Sequence, residues 1–256
     1  RVDLLGGSNR SDQSVDLFLI DPQSGKLTDI AAASFQVDTT VLDDVYGFCF
    51  YKNPASGAAY VFINAKNGRV RQYKLLATEA GKIDLEFKRD MLFESQVEGM
   101  VADDARGILY VGEEDRGIWK MSADPKATDQ PVFISMSGED NAAIRYDVEG
   151  LSLYLQDTTG YLIASSQGNF SYAVFERNGD NAYLGSFKIL EKGDIDGVEE
   201  TDGIQAVNVV IDSLYPAGLF IVQDGFNVQG AEAAAQNFKV VDWREIEAAL
   251  LQQSKK

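Results

Sequence analysis

Short apolar runs alternate with polar turns along almost the whole chain. The runs Ala59 to Ile63, Ile108 to Val111, Tyr161 to Ala164 and Leu219 to Val222 read as buried strands that open into polar tips. Val70 to Leu75 and Gly117 to Met121 alternate apolar and polar residues, the period of a half-buried strand. A further strand is predicted over Leu85 to Phe93, Pro131 to Met136 and Ala182 to Leu190. Turns of Gly, Asp and Asn bound these runs, which points to an all-β array. Only the tail, Trp243 to Gln252, has helical spacing, with Ile246, Leu250 and Leu251 on one side.

The runs repeat. A polar residue precedes Gly-hydrophobic at Tyr46-Gly47-Phe48, Glu98-Gly99-Met100, Glu149-Gly150-Leu151 and Asp202-Gly203-Ile204, at intervals of 52, 51 and 53 residues. A period near 50 marks a propeller or a similar array. Each repeat reads as a blade of four short strands, beginning with the Gly signature. The first 30 residues fit the last three strands of one more repeat, and the final repeat stops after its third, Phe238 to Val241. Residues 1–256 are expected to form a single β-propeller domain of about five blades, incomplete at its N-terminus. Arg1, rather than Met, begins the chain inside a strand-like run.

Two places before each signature residue stand Asp44, Gln96, Asp147 and Glu200. On a strand, positions i and i+2 share a face, so these eight residues are expected to crowd one channel mouth. Six of them are carboxylates, an arrangement that is costly unless cations sit among them. A multivalent cation site follows from the repeat.

Composition narrows the chemistry. The net charge of −17 argues against nucleic acid, whose phosphates need clustered Lys and Arg. No apolar run approaches the ~18 residues of a membrane span. The chain has no histidine, which excludes Ser-His-Asp hydrolysis, phosphohistidine chemistry and His-ligated metals. The one cysteine, Cys49, lies between Phe48 and Phe50 and reads as inert core. Carboxylates, Lys, Arg, Tyr and hard cations remain.

The tips after the second strands form a related set: Asn9-Arg10, Asn64-Ala65-Lys66, Glu113-Glu114-Asp115, Ser165-Ser166-Gln167 and Gln223-Asp224. Their carboxylates, with Gln236 and Asn237, suit Ca²⁺, which takes six to eight oxygens. Arg10 and Lys66 bring positive charge to the same rim, fit for phosphate oxygens. Plainer readings stand beside these. Glu98, Glu149 and Asp202 could cap turns, Glu114 could belong to a solvated acidic loop, Tyr46 could be core, Lys66 a surface lysine and Arg10 a loop anchor. Glu113 and Asp115 are expected to support the site or face solvent. Ser165 to Asn169 reads as a tight turn, and Trp119 and Trp243 as packing residues.

The blocks Glu98-Gly99-Met100-Val101-Ala102-Asp103-Asp104, Glu113-Glu114-Asp115 with Ile118-Trp119-Lys120, and Asp147-Val148-Glu149-Gly150-Leu151 resemble the β-propeller phytase family. So do Ala164 to Asn169, Thr201-Asp202-Gly203-Ile204 and Gln236-Asn237-Phe238-Lys239, in the family's order across nearly the whole chain. The resemblance implies a six-bladed, calcium-dependent enzyme that hydrolyses phosphomonoesters of phytate, myo-inositol hexakisphosphate, by attack of a metal-activated water. It implies phosphate contacts at Arg10, Tyr46 and Lys66. It places Glu98, Glu114, Asp147 and Glu149 around the catalytic calcium ions and the attacking water. Asp202 is implied as a further calcium ligand, with Gln223, Asp224 and Asn237 beside it. The family has an additional N-terminal stretch supplying further active-site residues, so this chain alone is expected to have reduced activity or none. A secreted or periplasmic home, a monomer, phytate or calcium-phytate as partner, and no membrane or nucleic-acid partner complete the expectations. Two other readings of the carboxylates stay open: a calcium-dependent propeller lactonase or esterase, and a non-catalytic, calcium-stabilised binding propeller.

Overall fold

The computed structural model describes residues 2–32, 36–230 and 232–253. Its sheets are antiparallel, built from strands that follow one another in sequence and closed by short turns. The first holds β1 (Asp3–Asn9), β2 (Ser14–Ile20) and β3 (Leu27–Asp29). The second holds β4 (Val45–Lys52), β5 (Ala59–Ala65), β6 (Arg69–Ala77) and β7 (Ile83–Leu92). The third holds β8 (Val97–Asp103), β9 (Ile108–Glu113), β10 (Gly117–Ser122) and β11 (Val132–Phe133). The fourth runs β12 (Val148–Gln156), β13 (Thr159–Ser166), β14 (Ser171–Glu176) and β15 (Tyr183–Phe187). The last contains β16 (Ile204–Val207), β17 (Leu219–Asp224) and, beyond the small hairpin β18 (Val228–Gln229) and β19 (Glu232–Ala233), β20 (Asn237–Asp242). The helix α1 (Trp243–Gln253) follows directly. The fold class is therefore all-β, made of propeller blades, and the strands and helix expected from the apolar pattern are present, although the strand expected over Pro131 to Met136 is reduced to Val132–Phe133.

The chain divides into two compact units, residues 1–110 with 121–130 and residues 111–120 with 131–256. In the first, Val15, Leu17, Leu42, Val61 and Ile63 are fully buried between the first two sheets. In the second, Tyr154, Tyr172, Phe220 and Trp243 anchor the core. The Tyr154 and Trp243 rings stack with centroids 3.6 Å apart, so α1 is held by its first residue as well as by Ile246 and Leu250. Trp243 is thus a packing residue, as expected. Cys49 is buried, and burial pushes its thiol up to about 12, which leaves it inert at ordinary pH.

The Gly signature has a physical reason. In β4 the register against β5 shifts between Val45 and Phe48, and in β12 it shifts against β13 between Val148 and Leu151. Each shift is a β-bulge, setting Tyr46-Gly47 opposite Asn64 and Glu149-Gly150 opposite Ser165. The residue opposite the bulge then ties down the following blade: Asn64 Nδ2 donates to Glu98 O (2.6 Å), and Ser165 Oγ to Thr201 O (2.8 Å). A Cβ at Gly47 would lie 2.5 Å from Glu98 O, and one at Gly150 2.3 Å from Asp202 O. Glycine is needed because the next signature strand's carbonyl already occupies that space.

Candidate anion and metal site

The residues two places before the signature do not share a strand face with it. Asp44, Gln96, Asp147 and Glu200 all precede their strands, in the turns leading into β4, β8, β12 and β16. The alternation rule applies to a regular pleat, and here a turn and, in β4 and β12, a bulge intervene. What positions these residues is a repeated backbone frame. Lys66 N–H donates to Asp44 O (3.4 Å) and Gln167 N–H to Asp147 O (2.9 Å). Val45 N–H donates to Gln13 Oε1 (2.9 Å), and Val148 N–H to Glu114 O (3.1 Å).

In the first unit this frame gathers positive charge. Arg10 Cζ stands 4.5 Å and Lys66 Nζ 5.3 Å from the centre of the Tyr46 ring, both over its face. Such cation–π placement holds cations without neutralising them. Both also reach Asp44 Oδ2, Arg10 Nη2 at 3.2 Å and Lys66 Nζ at 3.5 Å. Gln13, whose backbone has a φ of 51°, donates its amide to Asp44 Oδ1 (3.0 Å) and to Arg10 O (2.7 Å). The Gln13 bond, followed by the two cations, holds the Asp44 carboxyl below the usual carboxylate range. Ser8 Oγ donates to Tyr46 O and fixes the bulge that carries the ring. Arg10, Tyr46 and Lys66, singled out from sequence, are therefore brought together. Gln13 was not; it is one residue of the polar run Asn9 to Ser14, and only its side-chain bonds reveal it. In the same unit Glu98 is buried and accepts from Gln96 Nε2.

The second unit gathers negative charge. Carboxylate oxygens of Glu114 and Glu149 lie within 4.8 Å of one another, and Glu149 is only 7% exposed. Asp147 is half-buried; burial, then the charge of Asp115, raises its carboxyl above the ordinary range. Glu113 is buried and supports the loop: it accepts Trp119 Nε1 at 2.7 Å, and Arg116 Nε stands 3.8 Å away. Ser165 and Ser166 close β13 and a 3-10 turn covers Gln167–Asn169, so the expected turn is shorter than Ser165 to Asn169. Asp202 is exposed, bonded by Gln167 Nε2 (2.8 Å), with its own N–H on Gln223 Oε1 (2.9 Å). Asn237 Nδ2 donates to Asn227 Oδ1 (2.8 Å). Asp224 is buried, accepting from Lys239 Nζ and from the Glu199 N–H (3.1 Å), so both its oxygens are engaged.

The carboxylates of the second group offer only oxygen atoms, and a close pair with one member buried is compatible with a metal ion. The family profile described as Phytase matches residues 1–255. The 3-phytase of Bacillus subtilis (strain 168) is 37% identical over 249 residues, covering 96% of this chain and 64% of that protein. The chain thus spans a little under two thirds of the length of that curated relative. Among solved structures, the crystal structure of RRP9 WD40 repeats aligns with a TM-score of 0.42 and 17% identity, over 70% of this chain and 44% of that one. That likeness is too slight to carry an argument.

Proposed function

The chain belongs to the phytase family, and on that footing we propose that it serves a calcium-dependent phytase that hydrolyses phosphomonoesters of phytate. The observation that carries the reading is the pair of cations, Arg10 and Lys66, converging over the Tyr46 ring in a protein of net charge −17. Two cationic side chains set around one carboxylate oxygen present the geometry that a phosphate oxygen takes. The 3-phytase relative supports the same substrate class.

The ligand set proposed for calcium is Glu114, Asp147 and Glu149, with Asp202 placed by Gln167 and Gln223. Glu98 is proposed as a calcium ligand on a separate ground, since it holds in β8 the repeat position that Glu149 holds in β12. Asp224 is left out, since Lys239 and the Glu199 N–H take its oxygens. Calcium bound there supplies a water of lowered pKa and neutralises phosphate oxygens. The chain's own part is to orient. Arg10 offers a planar fork to one phosphate, Lys66 a point charge, and Tyr46 a face that keeps both at the rim. Export from the cell fits this reading.

The test is phosphate release from calcium-phytate, with and without a chelator. Release that depends on calcium, and that Glu114→Gln and Asp147→Asn each reduce by about a hundredfold or more, supports the proposal. Near-wild-type turnover in both variants would show the carboxylates to be misassigned.

A further inference from the structure

Asp44 sits where an anion ought to sit. Its Oδ2 is shared by Arg10 Nη2 (3.2 Å) and Lys66 Nζ (3.5 Å), the two groups assigned above to phosphate. Its other oxygen is bound by Gln13 Nε2 (3.0 Å), and its backbone carbonyl accepts the Lys66 N–H (3.4 Å). The carboxylate is therefore fixed in place by groups other than the two cations and cannot swing away when they are claimed by a ligand. The cations are the movable partners: the Arg10 side chain is 52% exposed and that of Lys66 39%.

We propose that Asp44 is a built-in counter-anion that competes with phosphate for Arg10 and Lys66, and so sets the affinity of this rim for substrate and released phosphate. This rests on the phosphate-binding reading of the site. Two effects of the carboxylate oppose each other. Holding exposed cations in place helps an incoming anion, but exposed ion pairs contribute little to such ordering. Repulsion between a fixed carboxylate and a phosphate a few ångströms away acts on each charge of the phosphate, in a partly desolvated rim where water screens incompletely. Repulsion wins. Asp44 therefore weakens anion binding, and a rim that releases its product quickly is the consequence.

The experiment is binding of inorganic phosphate by titration calorimetry, at fixed free calcium and at low and high salt, for the wild type, Asp44→Asn, Asp44→Glu and Arg10→Met/Lys66→Met. Asp44→Asn keeps the shape and the capacity to bond Gln13. It is expected to bind phosphate about tenfold more tightly at low salt, an advantage that shrinks as salt rises. Asp44→Glu restores the negative charge and is expected to return affinity to within about threefold of wild type. A role confined to folding would not produce tighter binding or its salt dependence. If phosphate binding requires Arg10 and Lys66 but Asp44→Asn binds no more tightly, the inference falls while the function stands. If the Arg10→Met/Lys66→Met protein binds phosphate as the wild type does, both fall.

Discussion

Gly150→Ala isolates the requirement that the repeat places on its glycine. The added methyl would lie 2.3 Å from Asp202 O, 3.0 Å from Ile204 N and 3.3 Å from Asp202 C. That carbonyl is more than 1 Å inside ordinary van der Waals contact, which begins near 3.4 Å. It is backbone, so no side-chain rotation relieves the overlap. The turn before β16 must retreat, and the Gly150 N–H bond to Asp202 O (2.8 Å) is lost with it. Overpacking of this kind costs about 1–3 kcal/mol, and the hydrogen bond adds about 1 kcal/mol. Together these predict a fall in melting temperature of roughly 4–16 °C for a chain of this size. Gly203→Ala is the matched control, since the same signature position there has nothing within 4 Å of the added methyl. Differential scanning calorimetry of both variants decides the matter. Equal losses, or a neutral Gly150→Ala, would show that the glycines are kept for some reason other than the approach of the next strand.

Other outcomes follow from the same contacts. Lys239→Met removes the partner of buried Asp224 and should cost about 3–5 kcal/mol, read as a shift in the urea midpoint; a loss under ~1 kcal/mol would refute the pairing. Burial lowers the Lys239 pKa, but Asp196 and Asp224 outweigh it and the net shift is upward. Its stabilisation is therefore complete below the ordinary lysine value of about 10.4 and is lost as pH climbs through the raised one. The Asp196 carboxyl is held down by Lys239, so its share is present above the ordinary value of about 3.9 and lost as pH falls through the depressed one. Lys239→Met should flatten both limbs of the melting temperature against pH, and unchanged limbs would contradict this. Tyr154→Phe forfeits the hydroxyl's bond to Ala217 O (2.6 Å) and should cost about 1 kcal/mol, whereas Trp243→Ala should cost about 3–5 kcal/mol; the reverse order would overturn the account of how α1 is anchored. Chelation of calcium should lower the melting temperature, and Glu114→Gln should lessen that fall, because fewer like charges are left facing one another; an unchanged response in the variant would count against the ligand set.

The strands were legible because burial is written into the chain as continuous apolar runs in strands such as β5 and as alternation in strands such as β6, and the blade at a period near 50. α1 was legible because its apolar residues recur at helical spacing. The roles of single polar residues were not. Lys239 and Asp224 stand 15 residues apart in sequence and meet only because β17 and β20 pair in a register that opposes Val222 to Lys239. Sequence motifs named Asp224 as a ligand and could not show that a lysine would cover it. For Glu113 the sequence left open whether it supports the site or faces solvent, and burial with the Trp119 indole as its donor decides against solvent. Gln13 carried no signal of its own, since it is one polar residue among several in the run Asn9 to Ser14. Its importance comes from three hydrogen bonds to Arg10, Asp44 and Val45.

The repeat lets one blade plan gather positive charge in one unit and negative charge in the other. Asp44 and Asp147 occupy the same place, with the same backbone bond from the following tip: Lys66 N–H to one, Gln167 N–H to the other. Their carboxyls nonetheless move in opposite directions, Asp44 downward and Asp147 upward. The difference lies in the tips. Around Asp44 they carry Arg10, Gln13 and Lys66, which donate to the carboxylate or attract it. Near Asp147 stands Asp115, which repels it, and the same tip carries Glu114. A backbone frame set by bulges and glycine fixes where a carboxylate stands, and the charge on the neighbouring tips decides what it does there. Exposed tips can change charge without disturbing the buried strands behind them. Repeats of a single plan can therefore carry tips of opposite charge, with the blade unchanged between them.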